Sequence, residues 1–401
     1  MKRAKANGVL DLDDALWERV MEATDGAVAP CFQCGVCTAT CPWGLVRQEP
    51  VNVRQLMHRA QLGIEQEDGA MWWCTTCRAC EMQCPRGVPI ADVMLALRGL
   101  AWKDRRAPEG LAPVMWALYW DNNPWRRPPS QRSRWAKGLD IKAFEPGDDI
   151  LYYVGCTASY DARTQKVARA LVALFREAEV AFGTLGEDEP CCGDAAYGLG
   201  QQDYVRRIVE ANVELFAQRG VQTLVTTSPH CYDMFRNQYP AEAGLQPLHY
   251  SQYLASLIED GRLHFERPFE ARVTFHDPCY LARRNEATEA PRRVLSAIPG
   301  LELVEMARSG EGTLCCGGGG GRMWMETQAG ERFADLRVQE AAGTGAELLV
   351  TTCPHCVACL EDAVKVTGRD LRIVDLAELA AAALGLETTA PRPEQAARSP
   401  K

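Results

Sequence analysis

The chain has 401 residues, 47% hydrophobic and 24% charged, a balance that supports packed cores and excludes an intrinsically disordered chain. Its formal net charge of −9, from 44 basic and 53 acidic residues, argues against nucleic acid as the main partner, because phosphate binding calls for a net basic face. The 18 cysteines are too dilute in a chain this long for a disulfide scaffold.

No stretch reads as a membrane span; the best candidate, residues 371–386, is too short and carries Asp375 and Glu378. The N-terminus begins Met1-Lys2-Arg3 and runs into Asp11, Asp13 and Asp14 without an apolar core, so no secretory signal is expected and a cytoplasmic location is. Clustered cysteines in such a chain are metal ligands or redox groups.

Residues 1–105 are expected to be helical. Leu12, Leu16 and Val20 recur at a spacing of four, Val53, Leu56, Met57 and Ala60 share one face, and Ile90, Val93, Met94 and Leu97 share another. Within this region Cys31, Cys34, Cys37 and Cys41-Pro42 are followed by Cys74, Cys77, Cys80 and Cys84-Pro85, both sets spaced as Cys-x2-Cys-x2-Cys-x3-Cys-Pro. That is the bacterial two-cluster spacing, in which three close thiolates hold one cluster and the fourth reaches the other. Cys31, Cys34, Cys37 and Cys84 are therefore assigned to one [4Fe–4S] cubane, and Cys74, Cys77, Cys80 and Cys41 to a second. Paired zinc sites are the alternative, but they use Cys-x-x-Cys units without a fourth Cys three residues on.

Residues 106–147 form a Pro-, Arg- and Trp-rich linker. The stretch 98–137 holds five of the ten Trp and nine Lys/Arg against three Asp/Glu, a local charge of +6 that leaves −15 for the rest. It reads either as a packed connector or as a docking surface for a partner or an anionic membrane face.

From residue 148 short apolar runs at 150–154, 180–185, 223–227, 273–276, 301–306, 347–352 and 371–374 alternate with helical patterns, which predicts mainly parallel sheets covered by helices. This region is a duplication. Leu224 to Cys231 (LVTTSPHC) matches Leu349 to Cys356 (LVTTCPHC), Cys191-Cys192-Gly193 matches Cys315-Cys316-Gly317, and Cys156 matches Cys279, at offsets of 125, 124 and 123. The halves are placed at 148–266 and 267–388, with a disordered tail at 389–401. Each repeat brings a lone Cys, a Cys-Cys-Gly and a Cys at a strand-to-helix turn toward the carboxyl edge of a parallel sheet, where ligand sites belong.

Cys31-Phe32-Gln33-Cys34-Gly35-Val36-Cys37-Thr38 and Trp73-Cys74-Thr75-Thr76-Cys77 resemble the C component of heterodisulfide reductase, which implies an all-helical two-cluster ferredoxin domain serving as an electron relay. The repeats resemble the CCG domains of the B and D components of heterodisulfide reductase, whose cysteines hold a non-cubane [4Fe–4S] cluster. That resemblance implies a complete set at Cys279, Cys315, Cys316, Cys353 and Cys356. The first repeat keeps Cys156, Cys191, Cys192 and Cys231, but Ser228 stands where Cys353 stands in the second, a poor iron ligand and a good helix N-cap. Whether that site holds a cluster is left open. His276-Asp277-Pro278-Cys279-Tyr280 and the run from Cys315 to Trp324 are also similar to the soluble part of iron–sulfur oxidoreductases that link electron-transfer flavoprotein to quinone.

Other signals are weighed less. Cys353-Pro354-His355-Cys356 is also a thioredoxin-type tetrad, and Cys359 lies outside the pattern as a buried helical thiol. The run 317–321 lacks the Lys of a phosphate-binding loop and is expected to let backbone approach a cluster. His230, His276 and His355 are expected as hydrogen-bond donors around the thiols, with proton transfer left open.

The expected architecture is therefore an all-helical ferredoxin domain followed by two duplicated α/β CCG domains, carrying two cubanes and one or two CCG-type clusters. The expected function is an electron-transfer oxidoreductase component working between a flavoprotein partner and a quinone, membrane or disulfide acceptor, attached to the inner membrane face through a partner. A heterodisulfide-type reductase acting at the second CCG site, and an iron–sulfur component of a lactate-, glycolate- or acyl-CoA-oxidising complex, are the alternatives. No nucleic-acid role is expected.

Overall fold

A computed structural model describes residues 12–47, 51–65, 69–328 and 330–386. The expected tail at 389–401 lies outside the described residues.

The N-terminal unit is helical. Helix Asp14–Ala23 starts at Asp13, whose carboxylate accepts from Leu16 N at 3.1 Å. Leu12 thus precedes the helix and is exposed, so the spacing-of-four pattern overran the helix start by two residues. Helix Val53–Gln61 buries Val53, Leu56, Met57 and Ala60, the face expected from the sequence. Helix Ile90–Lys103 is apolar almost all round and is buried on most sides, among neighbours from the rest of the chain.

The duplicated region forms two four-stranded parallel sheets. The first has strands β1 Ile150–Tyr153, β2 Phe182–Gly183, β3 Thr223–Thr226 and β4 Gln246–His249 in the order β2-β1-β3-β4. The second has β5 Ala271–Phe275, β6 Leu301–Leu303, β7 Leu348–Thr351 and β8 Arg372–Asp375 in the order β6-β5-β7-β8. Strand β4 has no counterpart among the predicted runs. It is an edge strand of sequence Gln-Pro-Leu-His, too polar for an apolar run, and an edge is where a strand Pro is tolerated.

The repeats pack reciprocally. Helix Gln165–Glu177 of the first lies on Leu376–Ala383 of the second, and Tyr250–Glu259 of the first lies on Glu289–Ser296 of the second. Equivalent helices exchange partners, as a pseudo-twofold requires, and one continuous core runs between the sheets. The apolar stretch at 371–386 is β8 plus a helix inside this core. No helix among the described residues is long and apolar enough to cross a membrane.

Residues 106–147 are ordered against the first repeat, through helix Ala112–Asp121 and the 3-10 turns at Pro129–Ala136. The tryptophans divide: Trp135 is buried, Trp102 and Trp125 are half-buried, and Trp116 and Trp120 are exposed.

One side chain ties all three parts together. Arg98 is fully buried, and its guanidinium donates to the carbonyls of Met71 and Cys74 in the N-terminal unit, Gly198 in the first repeat and Gly320 in the second, at 2.5–3.1 Å. The close approach needs glycine. A Cβ on Gly319 would lie 2.6 Å from Thr75 O, and one on Gly320 2.7 Å from Cys74 O. The run 317–321 therefore lets the second repeat meet the cysteine-bearing loop of the N-terminal unit, where the sequence suggested approach to a cluster. Arg98→Met leaves four buried carbonyls without their donor and is expected to cost about 3 kcal/mol or more. Urea unfolding checks this; a loss under about 1 kcal/mol would mean that water replaces the guanidinium.

Candidate metal centres

Cys31, Cys34, Cys37 and Cys84 line one hollow of the N-terminal unit, closed by Met57, Val88 and Ile90. Cys41, Cys74, Cys77 and Cys80 line a second, closed by Val53, Leu56 and Met94. The helix faces that form the core are thus also the walls of both hollows. Backbone N–H groups point at the sulfurs: Thr76 N lies 3.4 Å from Cys74 Sγ, and Val88 N 3.4 Å from Cys84 Sγ. Burial pushes the Cys41 thiol up to about 12 and the Cys74 thiol up to about 11, Arg98 opposing the shift at Cys74. Such thiols ionise only beside positive charge, which a metal supplies.

In the first repeat, Cys156 opens a helix after β1, Cys191 and Cys192 follow the turn after β2, and Cys231 lies in the first turn of helix Pro229–Asn237 after β3. They converge at the carboxyl edge of the sheet in a hollow shared with Ser228, His230 and, from the second repeat, Trp324 and His355. Ser228 caps the helix, its Oγ accepting from His230 N at 3.3 Å. Gly193 N donates to Cys191 Sγ at 3.5 Å, and a Cβ on Gly155 would crowd Cys231 Sγ at 3.2 Å.

Sequence reading missed Arg132 here. It sat among the basic surface residues of the expected linker, yet it is buried, pairs with Glu189 at 3.0 Å and donates to Cys156 Sγ at 3.3 Å. Glu189 in turn accepts from Val154 N and Gly155 N at 2.8 and 2.9 Å, which fixes the turn before Cys156. Nothing in the local sequence separates Arg132 from Arg126 or Arg127.

In the second repeat, Cys279 Sγ lies 3.9 Å from Cys315 Sγ, and Cys356 Sγ lies 3.3 Å from Cys316 Sγ. Cys353 reaches Cys356, and Gly317 N donates to Cys315 Sγ at 3.3 Å. Cys315 also faces the N-terminal unit: its sulfur is 3.7 Å from Thr75 Oγ1, in the loop that carries Cys74 and Cys77, and together with burial it pushes the Cys77 thiol well up. The second repeat's thiol group therefore abuts the loop that lines the second N-terminal hollow. Arg283 braces the junction, donating to Cys77 O at 2.5 Å and Thr313 O at 2.6 Å. Cys359 stands outside this group. It is half-exposed, where a buried thiol was expected, and lines a surface cleft with Cys316 and Phe333.

The three histidines surround the thiols. His276 Nδ1 accepts from Arg337 Nε at 3.0 Å, which places the proton of the neutral ring on Nε2, and the ring stands beside Cys316 and Cys356. Burial and the nearby Arg337 and Arg283 hold its pKa well below the usual range. His230 crosses between the repeats, bonded through Nδ1 to Asp194 at 3.1 Å, reaching Cys353 and stacked on Tyr280 at 3.8 Å. Burial opposes its charge, but Asp194 outweighs burial and holds the His230 pKa well above its ordinary value. Burial likewise opposes ionisation of Cys353, but hydrogen bonds from Cys356 and His230 hold that thiol well below its ordinary value. His355 answers from the other side, its Nε2 3.2 Å from Thr157 Oγ1 beside Cys156. Tyr280 continues the chain of contacts to Thr76 Oγ1 at 2.8 Å.

Residues 27–88 match the family model of the 4Fe-4S dicluster domain, and residues 150–236 and 273–361 match that of the cysteine-rich CCG domain. Over 312 residues the chain is 33% identical to the D component of the dihydromethanophenazine:CoB--CoM heterodisulfide reductase of Methanosarcina mazei, covering 75% of each protein. The chain belongs to the family of that heterodisulfide reductase component. It is also 34% identical over 281 residues to the iron-sulfur-binding oxidoreductase FadF of Bacillus subtilis, and 35% identical over 274 residues to the EtfAB:quinone oxidoreductase of Syntrophomonas wolfei. These matches cover 67% and 64% of this chain but only 40% and 38% of the relatives, so the chain spans well under half their length. A Helicobacter pylori protein of known crystal structure shares the fold with a TM-score of 0.54 at 10% identity, covering 94% of this chain and 74% of that one.

Family membership implies iron–sulfur clusters, and the residues present fit them. Soft thiols converge in four groups, backbone N–H groups point at their sulfurs, and buried arginines stand beside three of the groups to balance anionic charge. Breaking the buried Arg132–Glu189 pair by Arg132→Gln is expected to cost about 3–5 kcal/mol, because Glu189 is left charged and enclosed. Differential scanning calorimetry beside Arg126→Gln, which is exposed and expected to be neutral, separates this from a surface charge effect.

Proposed function

We propose that the chain is the electron-transfer component of an oxidoreductase, passing electrons between a flavoprotein partner and a quinone or other membrane acceptor. The observation that carries this reading is the approach of Cys315 to the loop that bears Cys74 and Cys77, its sulfur 3.7 Å from Thr75 Oγ1, which sets the N-terminal thiol groups and the second CCG group side by side. Similarity to the EtfAB:quinone oxidoreductase supports a flavoprotein of the electron-transfer type on one side and a quinone on the other. Attachment to the inner membrane face through a partner belongs to the same reading.

In this reading Cys31, Cys34, Cys37 and Cys84 hold one [4Fe–4S] cubane and Cys74, Cys77, Cys80 and Cys41 the other. Cys279, Cys315, Cys316, Cys353 and Cys356 hold a CCG-type cluster, and Cys156, Cys191, Cys192 and Cys231 are the four thiols at the first site, whose occupancy the iron content decides. Bound clusters supply one-electron transfer without bond making. The protein's own part is positional. Arg98 and Arg283 clamp the N-terminal unit onto the second repeat, Tyr280 and Thr76 close the seam against water, and His276 and His230 direct N–H groups toward the second group of thiols.

Anaerobically reconstituted protein is expected to contain about eight irons in the N-terminal unit and about four more for each occupied CCG site. Ser228→Cys is expected to change the low-temperature EPR spectrum of one site while leaving the cubane signals in place. Zinc in place of iron would overturn the assignment.

Disulfide reduction is the second reading, favoured by the direct contact of the two CCG groups through His230 and His355, whose rings are 4.4 Å apart. Ser228 deprives the first site of its fifth thiol, so turnover of small disulfides is expected to be slow, and reduction by reduced electron-transfer flavoprotein fast, in stopped-flow absorbance. Rapid thiol release that disappears in Cys353→Ala would make the reductase the better reading.

A further inference from the structure

Helix Ala112–Asp121 buries Val114, Ala117 and Leu118 and turns the rest of its aromatic content outward. Trp116, Tyr119 and Trp120 are 66%, 65% and 71% exposed, and with Pro113 they occupy one face of the helix. Tyr119 and Trp120 pack edge to face at 4.9 Å, so the aromatic surface is continuous. Isolated exposed apolar side chains are ordinary, but a cluster of three large aromatics on a single face marks an interaction surface.

Its surroundings are cationic. Arg126 and Asp121 line the same shallow groove as Trp116 and Trp120, and Arg127, Arg134 and Lys137, all exposed, follow in the chain and make the balance positive. Among the described residues no carboxylate pairs with any of these four cations. The rest of the chain carries a net −15, so this segment is where the charge balance turns in favour of an anionic surface. Indole and phenol rings favour the headgroup region of a bilayer, and flanking arginines add attraction to acidic lipid.

The surface is joined to the first CCG site by direct bonds. The helix ends at Asn122, in a left-handed conformation with φ 53°, whose Oδ1 accepts from Cys191 N at 3.2 Å and whose carbonyl accepts from Arg132 Nη2 at 3.3 Å. The same Arg132 nitrogen reaches Cys156 Sγ. Pro124 lines that site, and Trp125 Nε1 donates to Thr157 Oγ1 at 3.3 Å. The exposed aromatics and the thiols of the first repeat are thus linked through one continuous piece of chain.

We propose that Trp116, Tyr119 and Trp120, with Arg126 and Arg127, form a docking face for an anionic lipid bilayer and present the first CCG site toward it. This goes beyond attachment through a partner, since the contact is with lipid itself, and it stands whether or not the electron-transfer reading holds.

Co-sedimentation of the reconstituted full chain with phosphatidylcholine vesicles, with and without phosphatidylglycerol, tests it. Binding is expected only with phosphatidylglycerol and is expected to weaken in high salt. The double variant Arg126→Glu/Arg127→Glu is expected to bind more than about tenfold more weakly, and Trp116→Ala/Trp120→Ala to lose most of the binding. Both variants should keep the wild-type visible absorption, because the four side chains are exposed. No binding to phosphatidylglycerol vesicles, or equal binding by wild type and variants, would overturn the proposal. So would self-association in size-exclusion chromatography that the Trp variants abolish without any vesicle binding, which would make the face a protein contact.

Discussion

The buried guanidinium of Arg98 is the constraint on which the arrangement of the thiols depends. A desolvated cation is tolerated only when its donors are satisfied, and here the acceptors come from three separate parts of the chain: the loop with Met71 and Cys74, the turn at Gly198 and the turn at Gly320. Moving any one part away strands the charge. Carbonyl acceptors carry no counter-charge, so the nearby thiol groups, once ionised, supply the negative potential that the guanidinium lacks. The Cys74 thiol and Arg98 each favour the charged form of the other. Stability of the three-part assembly and ionisation of the ligand thiols are coupled through that one side chain.

Around this point the backbone has been stripped of side chains. A Cβ on Gly99 would lie 2.8 Å from Gly200 O, and one on Gly200 would lie 2.5 Å from Leu95 O, so helix Ile90–Lys103 and the first repeat touch backbone to backbone. With Gly319 and Gly320 packed on the cysteine-bearing loop at residues 74–77, the N-terminal unit is held between the two repeats with no room for a methyl group at either contact. The approach of Cys315 to that loop follows from the packing and from Arg283, which spans the same seam.

The two repeats share a topology and a reciprocal packing, and they differ at the sites. Where the second has Cys353, the first has Ser228 acting as a helix cap; where the first has Asp194, the second has Gly318. The consequence is directional. Asp194 charges His230, and His230 serves the thiol of the other repeat, whereas His355 has no such carboxylate and is pushed down to about 4 by burial and by the charge on His230. A symmetric scaffold thus supports one site with a cationic neighbour reaching across from its twin and one without.

The cysteine spacing, the repeat offset near 125 residues and the change from helical to strand texture at about residue 148 were all readable from the sequence, because each is set by neighbours a few positions apart. So was the core face of Val53, Leu56, Met57 and Ala60, which follows from helical periodicity alone. A lone charge in the apolar run Leu95-Ala96-Leu97-Arg98-Gly99-Leu100 was a signal for Arg98 that periodicity arguments pass over. Other features had no local signal. Arg132 and Arg126 sit in the same composition, yet one is enclosed against Glu189 and Cys156 and the other is exposed; Trp135 and Trp120 divide in the same way. Strand β4 exists because β3 offers it an edge to pair with, not because Gln-Pro-Leu-His favours extension. The meeting of Cys315 with Thr75 joins residues 240 positions apart. Local spacing fixes which thiols act as a group, because the covalent chain limits how far apart they stand. Which groups become neighbours is decided only when buried charge and close-packed glycine backbone are satisfied together, and those conditions belong to the folded chain as a whole.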